Sequence, residues 1–247
     1  TAGTKWSLTN GGAGGETVPD ATMNVYFDSG SGTCTVTIAA SSVCLSVIQS
    51  SANVTVAGGS ALAISGSATF LGSWTHTGTK TFNSTTTGNT ITSNGVVLAS
   101  AVTFNGVGGE WTLADALSTS GTVTLTNGSL TDAGFSLTAD RFVSTNSNTR
   151  VVTKTGNWTL TGSGVSGNLF DFTTSTGATV TDSGSITTTD NSSTTKTINV
   201  GTPLTWNDFN ITAGTGNFVF SGTGGTVRNL NWTGFSGAWS NSPALNI

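Results

Sequence analysis

The feature that most constrains this chain is a succession of very short segments in which apolar residues alternate with threonine, serine or asparagine. Typical segments are VTL at 123–125 and WTL at 158–160, and turns containing glycine or asparagine, such as NG at 127–128, separate them. Alternation with a period of two places the apolar side chains on one face of a β-strand. Such a chain can bury its apolar groups only in a fold made of many short strands.

Three observations favour a stacked arrangement of these strands. The segments of three to five residues are shorter than most strands, similar units recur with turns of unequal length, and charged residues are only 7% of the chain. We predict a right-handed parallel β-helix, with three strands in a coil of roughly 20 residues and on the order of eight to ten coils. A β-sandwich or jelly roll remains the alternative, because periodicity alone does not separate these folds.

The beginning of the chain differs from the rest. Residues 1–32 contain the only Tyr and the only Met, a glycine-rich turn at 11–15 and an alternating segment at 24–28. We predict that they form an N-terminal cap, since the open end of a solenoid exposes strand edges and core that must be covered. Residues 33–247 are predicted to form the solenoid without an internal linker.

Composition excludes several classes of protein. A chain that is 35% hydrophobic, with seven Trp and a net charge of −4, is not disordered. Seven cationic residues and a pI near 4.6 leave no basic surface for nucleic acid. No apolar run is long enough to span a membrane and no signal peptide is visible. Strong helix formers are scarce, and residues 114–117 are the best candidate for a single helical turn.

Several longer segments share a recognisable spacing of turn and core residues. They read WSLTNGGAGG at 6–15, NVYFD at 24–28, FNGVGGEWTL at 104–113, GTVTLTNGSL at 121–130, FVSTNSNTR at 142–150 and GNWTLTGSG at 156–164. Together they resemble repetitive β-solenoid proteins of virions and cell surfaces that bacteriophages and aquatic bacteria encode. The resemblance covers most of the chain and consists of turn and core spacing. It implies a decoration, tail or adhesin component at a virion or extracellular surface, and it implies no catalytic residue.

Residues that carry chemistry are sparse. His76 is the only histidine and no serine has the framing of a nucleophile, so we expect His76 to face solvent or to lie in a turn. The acidic residues are scattered, and Asp171, Asp182 and Arg150 form the one triad that could converge as in a polysaccharide-cleaving enzyme. Repeated calcium motifs and phosphate-binding loops are absent. We therefore predict no catalytic residue, no metal site, no cofactor and no enzymatic activity.

The seven tryptophans are the most informative side chains. Trp111, Trp158 and Trp206 occupy alternating apolar positions, and we expect them in the core. Exposed indole rings stack on sugar rings or on partner proteins. The candidates for contact with a glycan or a partner are Trp74, Trp232 and Trp239.

Two cysteines, Cys34 and Cys44, lie ten residues apart. They could form a disulfide between neighbouring strands, which would suit an extracellular protein. Alternatively, they are two small buried apolar residues. The spacing leaves both alternatives open.

The sequence thus predicts a structural or display protein that works through assembly and surface attachment. Its expected partners are further copies of itself, as a homo-oligomer such as a trimer, and other virion or surface proteins, with host glycans as a further candidate. Nucleic-acid binding and membrane insertion are not expected. The alternative is a carbohydrate-binding adhesin or a polysaccharide depolymerase built on a β-helix.

Overall fold

The computed structural model describes residues 6–162, 167–241 and 246–247. Residues 1–5 of the predicted cap, 163–164 of the last quoted motif, and 163–166 and 242–245 of the predicted solenoid lie outside the described residues. The described part of the chain is almost entirely β-strand and turn, and its single helical segment is a 3-10 turn at Ser29–Ser31. The helical turn considered at 114–117 does not form, because strand pairing already begins at Leu117.

The described residues form 25 strands, most of them short. They are β1 Val25–Phe27, β2 Cys34–Ile38, β3 Ser42–Cys44, β4 Val47–Gln49, β5 Val54–Gly58, β6 Leu62–Ile64, β7 Ala68–Thr69, β8 Lys80–Phe82, β9 Asn89–Thr92, β10 Val97–Leu98, β11 Val102–Leu113, β12 Leu117–Thr119, β13 Thr122–Thr131, β14 Leu137–Ala139, β15 Arg141–Val143, β16 Arg150–Lys154, β17 Trp158–Leu160, β18 Gly167–Asp171, β19 Ala178–Asp182, β20 Ser185–Thr188, β21 Lys196–Asn199, β22 Thr205–Ile211, β23 Phe218–Ser221, β24 Thr226–Trp232 and β25 Trp239–Asn241.

The strands form three faces of a stack, and the pairs between named strands are parallel. The first face contains β1, β4, β7, β9, the second halves of β11 and β13, β16 and β19. The second face contains β10, β12, β14, β17, β20, β22 and β24, and the pair β2 and β5 has the same place in the first two coils. The third face contains β3, β6, β8, the first halves of β11 and β13, β15, β18, β21, β23 and β25.

The predicted solenoid is confirmed: the chain is a parallel β-solenoid of about 10 turns. Leu62 pairs with Lys80, 18 residues further along the chain, whereas Trp158 pairs with Ile186, 28 residues further. The predicted coil of roughly 20 residues lies within this range, and longer turns produce the longer coils. A stack of about ten strands spaced ~4.8 Å apart is about 45 Å long.

One column of paired residues runs along the entire third face. It consists of Ser42, Leu62, Lys80, Val102, Val123, Phe142, Phe170, Ile198, Phe220 and Asn241. The eight residues between the two ends of this column are buried. The alignment therefore stays in register from the first coil to the last.

The interior contains aromatic stacks that connect successive coils. The rings of Phe82 and Phe104 stack with centroids 5.3 Å apart, and those of Phe142 and Phe170 stack at 5.8 Å. Trp111, Trp158 and Trp206 are fully buried, as the alternation predicted. Each of these large rings removes a large apolar area from water when it is buried.

The outward positions are polar and are connected along the stack. Asn127 donates to the side chain of Asn105 at 2.7 Å, and Asn231 donates to the side chain of Asn210 at 2.9 Å. Thr124 lies beside Thr103 in the same outward direction. Threonines at alternate positions are therefore surface groups of the strands, as the sequence indicated.

The N-terminal segment lies against the first coil without joining its sheets. Trp6 and Glu16 form one antiparallel bridge, and the ring of Trp6 lies 6.3 Å from that of Phe27. The hydrogen bonds of residues 6–22 in the described structure stay within that segment, apart from the one that the N–H of Met23 donates to the carbonyl oxygen of Asp20. Strand β1 lies within residues 1–32, which were predicted to form the cap. It pairs with β4 and is the first strand of the stack.

Candidate functional site

Trp74 is a core residue, which contradicts its selection as a surface contact. Only 5% of it is exposed, and its ring packs edge-on against Phe70 with centroids 4.7 Å apart. It lies on no regular strand but bridges to Val56 of β5, so the surrounding sequence gave little indication of its orientation. Its indole nitrogen has no hydrogen-bond partner among the described residues.

Trp232 and Trp239 meet at the last coil of the stack. Their ring centroids are 5.4 Å apart at an angle of 31°, and Phe235 lies 5.0 Å from Trp232. Phe218 of the preceding coil packs edge-on against Phe235 at 5.3 Å. We call Phe218, Trp232, Phe235 and Trp239 the C-terminal cluster.

The C-terminal cluster is covered on one side only. Phe218 is buried, Trp232 and Phe235 are half-buried, and Trp239 is 50% exposed. A core aromatic in the middle of the stack is covered by the next coil. Of the residues after β25 the structure describes 246 and 247, and Asn246 bridges to Thr226 of β24. The cluster is therefore a partly exposed apolar surface of the last described coil.

Polar groups lie on the outward face of β24, opposite the partly buried Leu230 and Trp232. Asn229 donates to the carboxylate of Asp208 at 2.8 Å, and Asn231 donates to Asn210. Arg228 is exposed and forms no ion pair in the described structure. The arrangement can offer ring faces, amides and one cation to a binding partner.

The opposite end of the stack contains a large cleft. Its volume is about 1400 Å³, and its lining comes from residues 6–12, 16–19, 23–28, 30–31 and 34–44, together with Val47, Leu62 and Trp74. Val36 and Ile38 of β2 are half-buried within it, and Val43 of β3 is 44% exposed. The cap forms one wall of the cleft, the first coil forms most of the rest, and Val47, Leu62 and Trp74 of the following coils complete it.

The first coil also has unpaired strand edges. Within the described residues, β1 pairs only with β4, β2 only with β5 and β3 only with β6. Each of these strands therefore presents backbone N–H and C=O groups on its outer side, which can pair with another strand. At the other end, β25 pairs only with β23.

The two cysteines are free thiols, so the disulfide considered from their spacing is absent. Cys34 is exposed on β2, whereas Cys44 is buried on β3, and burial raises the pKa of its thiol to about 12. Cys44 thus behaves as a small apolar residue, while Cys34 does not.

His76 is buried, which corrects the expectation of a solvent-facing or turn histidine. It is 1% exposed, and its Nε2 lies 2.8 Å from the carbonyl oxygen of Ser60, so Nε2 carries the proton. Burial lowers the pKa of His76, and the positive charge of Lys80 acts in the same direction although the contact with Ser60 opposes it. His76 has no carboxylate or serine hydroxyl as a partner and is not arranged as a catalytic base.

Arg150, Asp171 and Asp182 do not form a common site. The fully buried guanidinium of Arg150 donates to the carbonyl oxygens of Ser144, Asn146, Asn148, Thr174 and Thr176. Asp171 accepts hydrogen bonds from Asn168 and Thr173. Asp182 pairs with Lys154 at 2.9 Å. Each group is thus satisfied by a separate structural partner.

The buried cations are the charged residues whose placement the sequence analysis missed. Lys80, Arg150, Lys154 and Lys196 are fully buried, and Lys196 pairs with Asp190 at 2.9 Å. Burial lowers the pKa of Lys154, although the carboxylate of Asp182 opposes this shift. A signal was present in the pattern, because these residues alternate in phase with buried apolar residues on their strands.

The described residues contain neither a cluster of metal ligands nor a membrane-spanning helix. Within residues 6–162, 167–241 and 246–247, no group of three or more His, Cys, Asp or Glu side chains could hold a metal ion. No helix in these ranges is long and apolar enough to cross a bilayer.

Comparison of the chain with protein-family models, with curated proteins and with solved structures gives no match. The resemblance to virion and surface solenoids therefore stays a prediction. The two ends of the solenoid are the candidate functional sites, because the exposed apolar groups and the unpaired strand edges meet there.

Proposed function

We propose that this protein is a structural or display component of a virion or cell surface and that it works through assembly and attachment. The observation that supports this most is the contrast between the polar faces and the two ends. The faces carry threonine and asparagine in continuous ladders, whereas the ends carry open strand edges, the cleft and the C-terminal cluster. A stack of parallel ladders is a stiff element that can be extended or attached at its ends.

The charge distribution supports protein or surface contacts over nucleic acid. Four of the seven Lys and Arg side chains are buried inside the stack. The surface is therefore poorer in positive charge than the composition indicates. Polyanions such as nucleic acid need a cluster of accessible cations, which these faces do not provide.

The proposal includes no catalysis. Asp182 and Asp190 are held in ion pairs with lysines, and Asp171 is held by neighbouring amide and hydroxyl groups. Glycoside hydrolysis needs two carboxyl groups about 5–10 Å apart across a substrate groove. Carboxylates that are occupied in this way serve the stability of the coils.

Cryo-electron microscopy of the purified source material tests this proposal. We expect the chain in a repeating assembly on a particle, filament or cell surface, with contacts at one or both ends of the solenoid. A chain that occurs only as a free monomer in that material would overturn the proposal.

A second candidate function is glycan binding at the C-terminal cluster. Half of Trp239 is exposed beside Trp232, and the amides of Asn229 and Asn231 lie on the adjacent strand. We expect titration with neutral oligosaccharides to quench tryptophan fluorescence, and Trp239→Ala to weaken binding at least tenfold. Phe135→Ala, which removes another exposed aromatic far along the chain, is the matched control and should leave binding unchanged. Equal binding by both variants would exclude the cluster as a glycan site.

A further inference from the structure

We infer that the N-terminal cleft receives strand β25 from a second copy of this chain, so that copies join head to tail through the open edge of β3. This inference rests on the proposed role in assembly and names its partner and contact. It follows from four features of the two ends: the strand edges, their register, their apolar surfaces and their charge.

The edge of β3 is open toward the cleft. The N–H of Ser42 donates to the carbonyl oxygen of Ala61 in the second coil, so the backbone of Ser42 is directed toward β6. Successive residues of a strand direct their N–H and C=O groups to opposite sides. The backbone groups of Ser41 and Val43 are therefore directed away from β6, and both residues line the cleft.

Among the described strands, β25 pairs with β23 alone, so its other edge is also unpaired there. Phe218 donates to the carbonyl oxygen of Ala238, so the backbone of Ser240 is also directed toward β23. By the same alternation, the backbone groups of Trp239 and Asn241 are directed outward. All three residues of β25 are exposed.

The two edges match in register. The column of paired residues on the third face begins at Ser42 and ends at Asn241. If this column continues into a second copy, Asn241 lies beside Ser42 of the next molecule. The outward groups of Asn241 then face those of Ser41 and Val43, which is the pattern of a parallel ladder.

The apolar surfaces and the charges of the two ends are also compatible with a contact between two copies. The described lining of the cleft includes the half-buried side chains of Val36 and Ile38 and the carboxylates of Glu16 and Asp28, with no cation among these described residues. Residues 229–247 contain no charged side chain, and they carry the exposed indole of Trp239. Arg228, just before this segment, is exposed and opposite in sign to the cleft. The exposed strand β25 thus brings no charged side chain against these carboxylates.

The geometry has a consequence for the size of the assembly. A head-to-tail contact uses two different surfaces of each copy, so the contact leaves one free end of each kind. Association through it therefore produces chains of increasing length, and the number of joined copies grows with protein concentration.

Removal of a single backbone N–H tests the contact. Val43→Pro deletes the donor on the open side of β3 and leaves the N–H groups that serve β6 in place, and an edge strand tolerates proline. We expect sedimentation velocity to show at least a tenfold rise in the dissociation constant for self-association. Val43→Thr keeps the N–H and is the control, and it should associate like the parent. Circular dichroism and thermal unfolding of both variants establish that they fold.

Cross-linking tests the register. In a Cys34→Ser background, the pair Ser41→Cys and Ser240→Cys places thiols on adjacent strands only when two copies meet head to tail. Within one copy these residues lie at opposite ends of a stack about 45 Å long, too far for a disulfide. Oxidation should produce a ladder of dimers, trimers and longer species on non-reducing gels. The control pair Ser41→Cys and Ser118→Cys, with one thiol in the middle of the second face, should produce none.

The outcomes separate this inference from the proposed function. A chain that stays monomeric at all concentrations, associates equally well with Val43→Pro, or gives no ladder with the Ser41 and Ser240 cysteines, overturns the head-to-tail contact. If microscopy nevertheless shows the chain in a repeating assembly through another surface, the proposed function stands while this inference fails.

Discussion

Lys80 and Lys154 are both fully buried, but their acceptors differ. The ammonium group of Lys80 donates to the carbonyl oxygens of His76 at 2.9 Å and Ala99 at 2.7 Å, with no carboxylate as a partner. Lys154 pairs with the buried carboxylate of Asp182. Removing Lys80 therefore leaves no unpaired charge, whereas removing Lys154 does.

We expect Lys80→Met to change the free energy of unfolding by no more than about 1 kcal/mol, and Lys154→Met to lower it by about 3 kcal/mol. Urea denaturation at pH 7 measures both. An equal loss in the two variants would contradict the different roles assigned to these lysines.

Lys80 also predicts a dependence of stability on pH. Burial lowers the pKa of Lys80 from 10.5 to about 8 in the folded protein. Between these values the unfolded chain binds a proton that the folded chain has released, so a rise in pH favours folding. Lys80→Met lacks this contribution. The free energy of unfolding of Lys80→Met minus that of the parent should therefore fall steadily from pH 7.5 to pH 9.

The thiol of Cys44 also makes stability depend on pH. The effect of Lys80 is therefore measured as the difference between Lys80→Met and the parent protein. The raised pKa of Cys44 lowers the stability of both proteins above pH 9, where the unfolded thiol ionises first. A difference between parent and Lys80→Met that does not change with pH would contradict the lowered pKa of Lys80.

Asp132 connects two coils through one buried carboxylate. It accepts hydrogen bonds from the backbone N–H groups of Gly134, Thr155 and Gly156, the hydroxyl of Thr155 and the indole N–H of Trp158. Asp132→Asn replaces one acceptor oxygen by a donor that faces other donors. We expect a loss of about 2–3 kcal/mol in denaturant unfolding, with altered Trp158 fluorescence. Unchanged stability would show that these bonds contribute little.

The burial of Lys80 could be predicted in part from the sequence. Lys80 and Phe82 lie two residues apart on β8, so alternation placed them on the same buried face. The high cost of burying an unpaired charge argued against that placement. The acceptor that resolves the conflict, the carbonyl of Ala99, comes from the next coil, 19 residues further along the chain. Sequence order alone does not show that this oxygen is adjacent.

At the scale of the elements, close stacking of turns depends on small residues. A Cβ atom added to Gly156 would overlap the carbonyl oxygen of Phe135 in the preceding coil. Gly72 has no atom within 4 Å of the same position. We expect Gly156→Ala to lower the free energy of unfolding by about 1–3 kcal/mol, and Gly72→Ala to change it by less than about 0.5 kcal/mol. Similar effects at both positions in thermal unfolding would contradict close contact between these turns.

The strands themselves were largely predictable, because alternation survives even in segments of three residues. Trp158–Leu160 forms a strand with the predicted bounds. A period of two would place Phe135 on the buried face with Leu137. Phe135 is nevertheless 40% exposed, because its N–H closes a turn on Asp132 and the strand begins only at Leu137. Turn geometry breaks the period of two, and sequence patterns do not report where that break falls.

On the scale of the whole molecule, most strands in the middle of the stack, such as β13 and β17, are paired on both sides. Among the described strands, β10 and β19 have one partner each within the stack, and β3 and β25 have one partner each in the first and last coils. The sequence predicted the stack and placed Trp232 and Trp239 at its end. It could not reveal the cleft, because that feature depends on how the cap lies beside the first coil.

Amide hydrogen exchange, measured on the free chain and on the assembly isolated from its source, tests most directly the claim that this solenoid works through contacts at its ends. The expected result is slow exchange in central strands such as β13 and β17 in both samples. The amides of Val43 and Asn241 should exchange rapidly in the free chain and at least tenfold more slowly in the assembly. Equal exchange at both ends in the two samples, or central strands that exchange as fast as the ends, would contradict it.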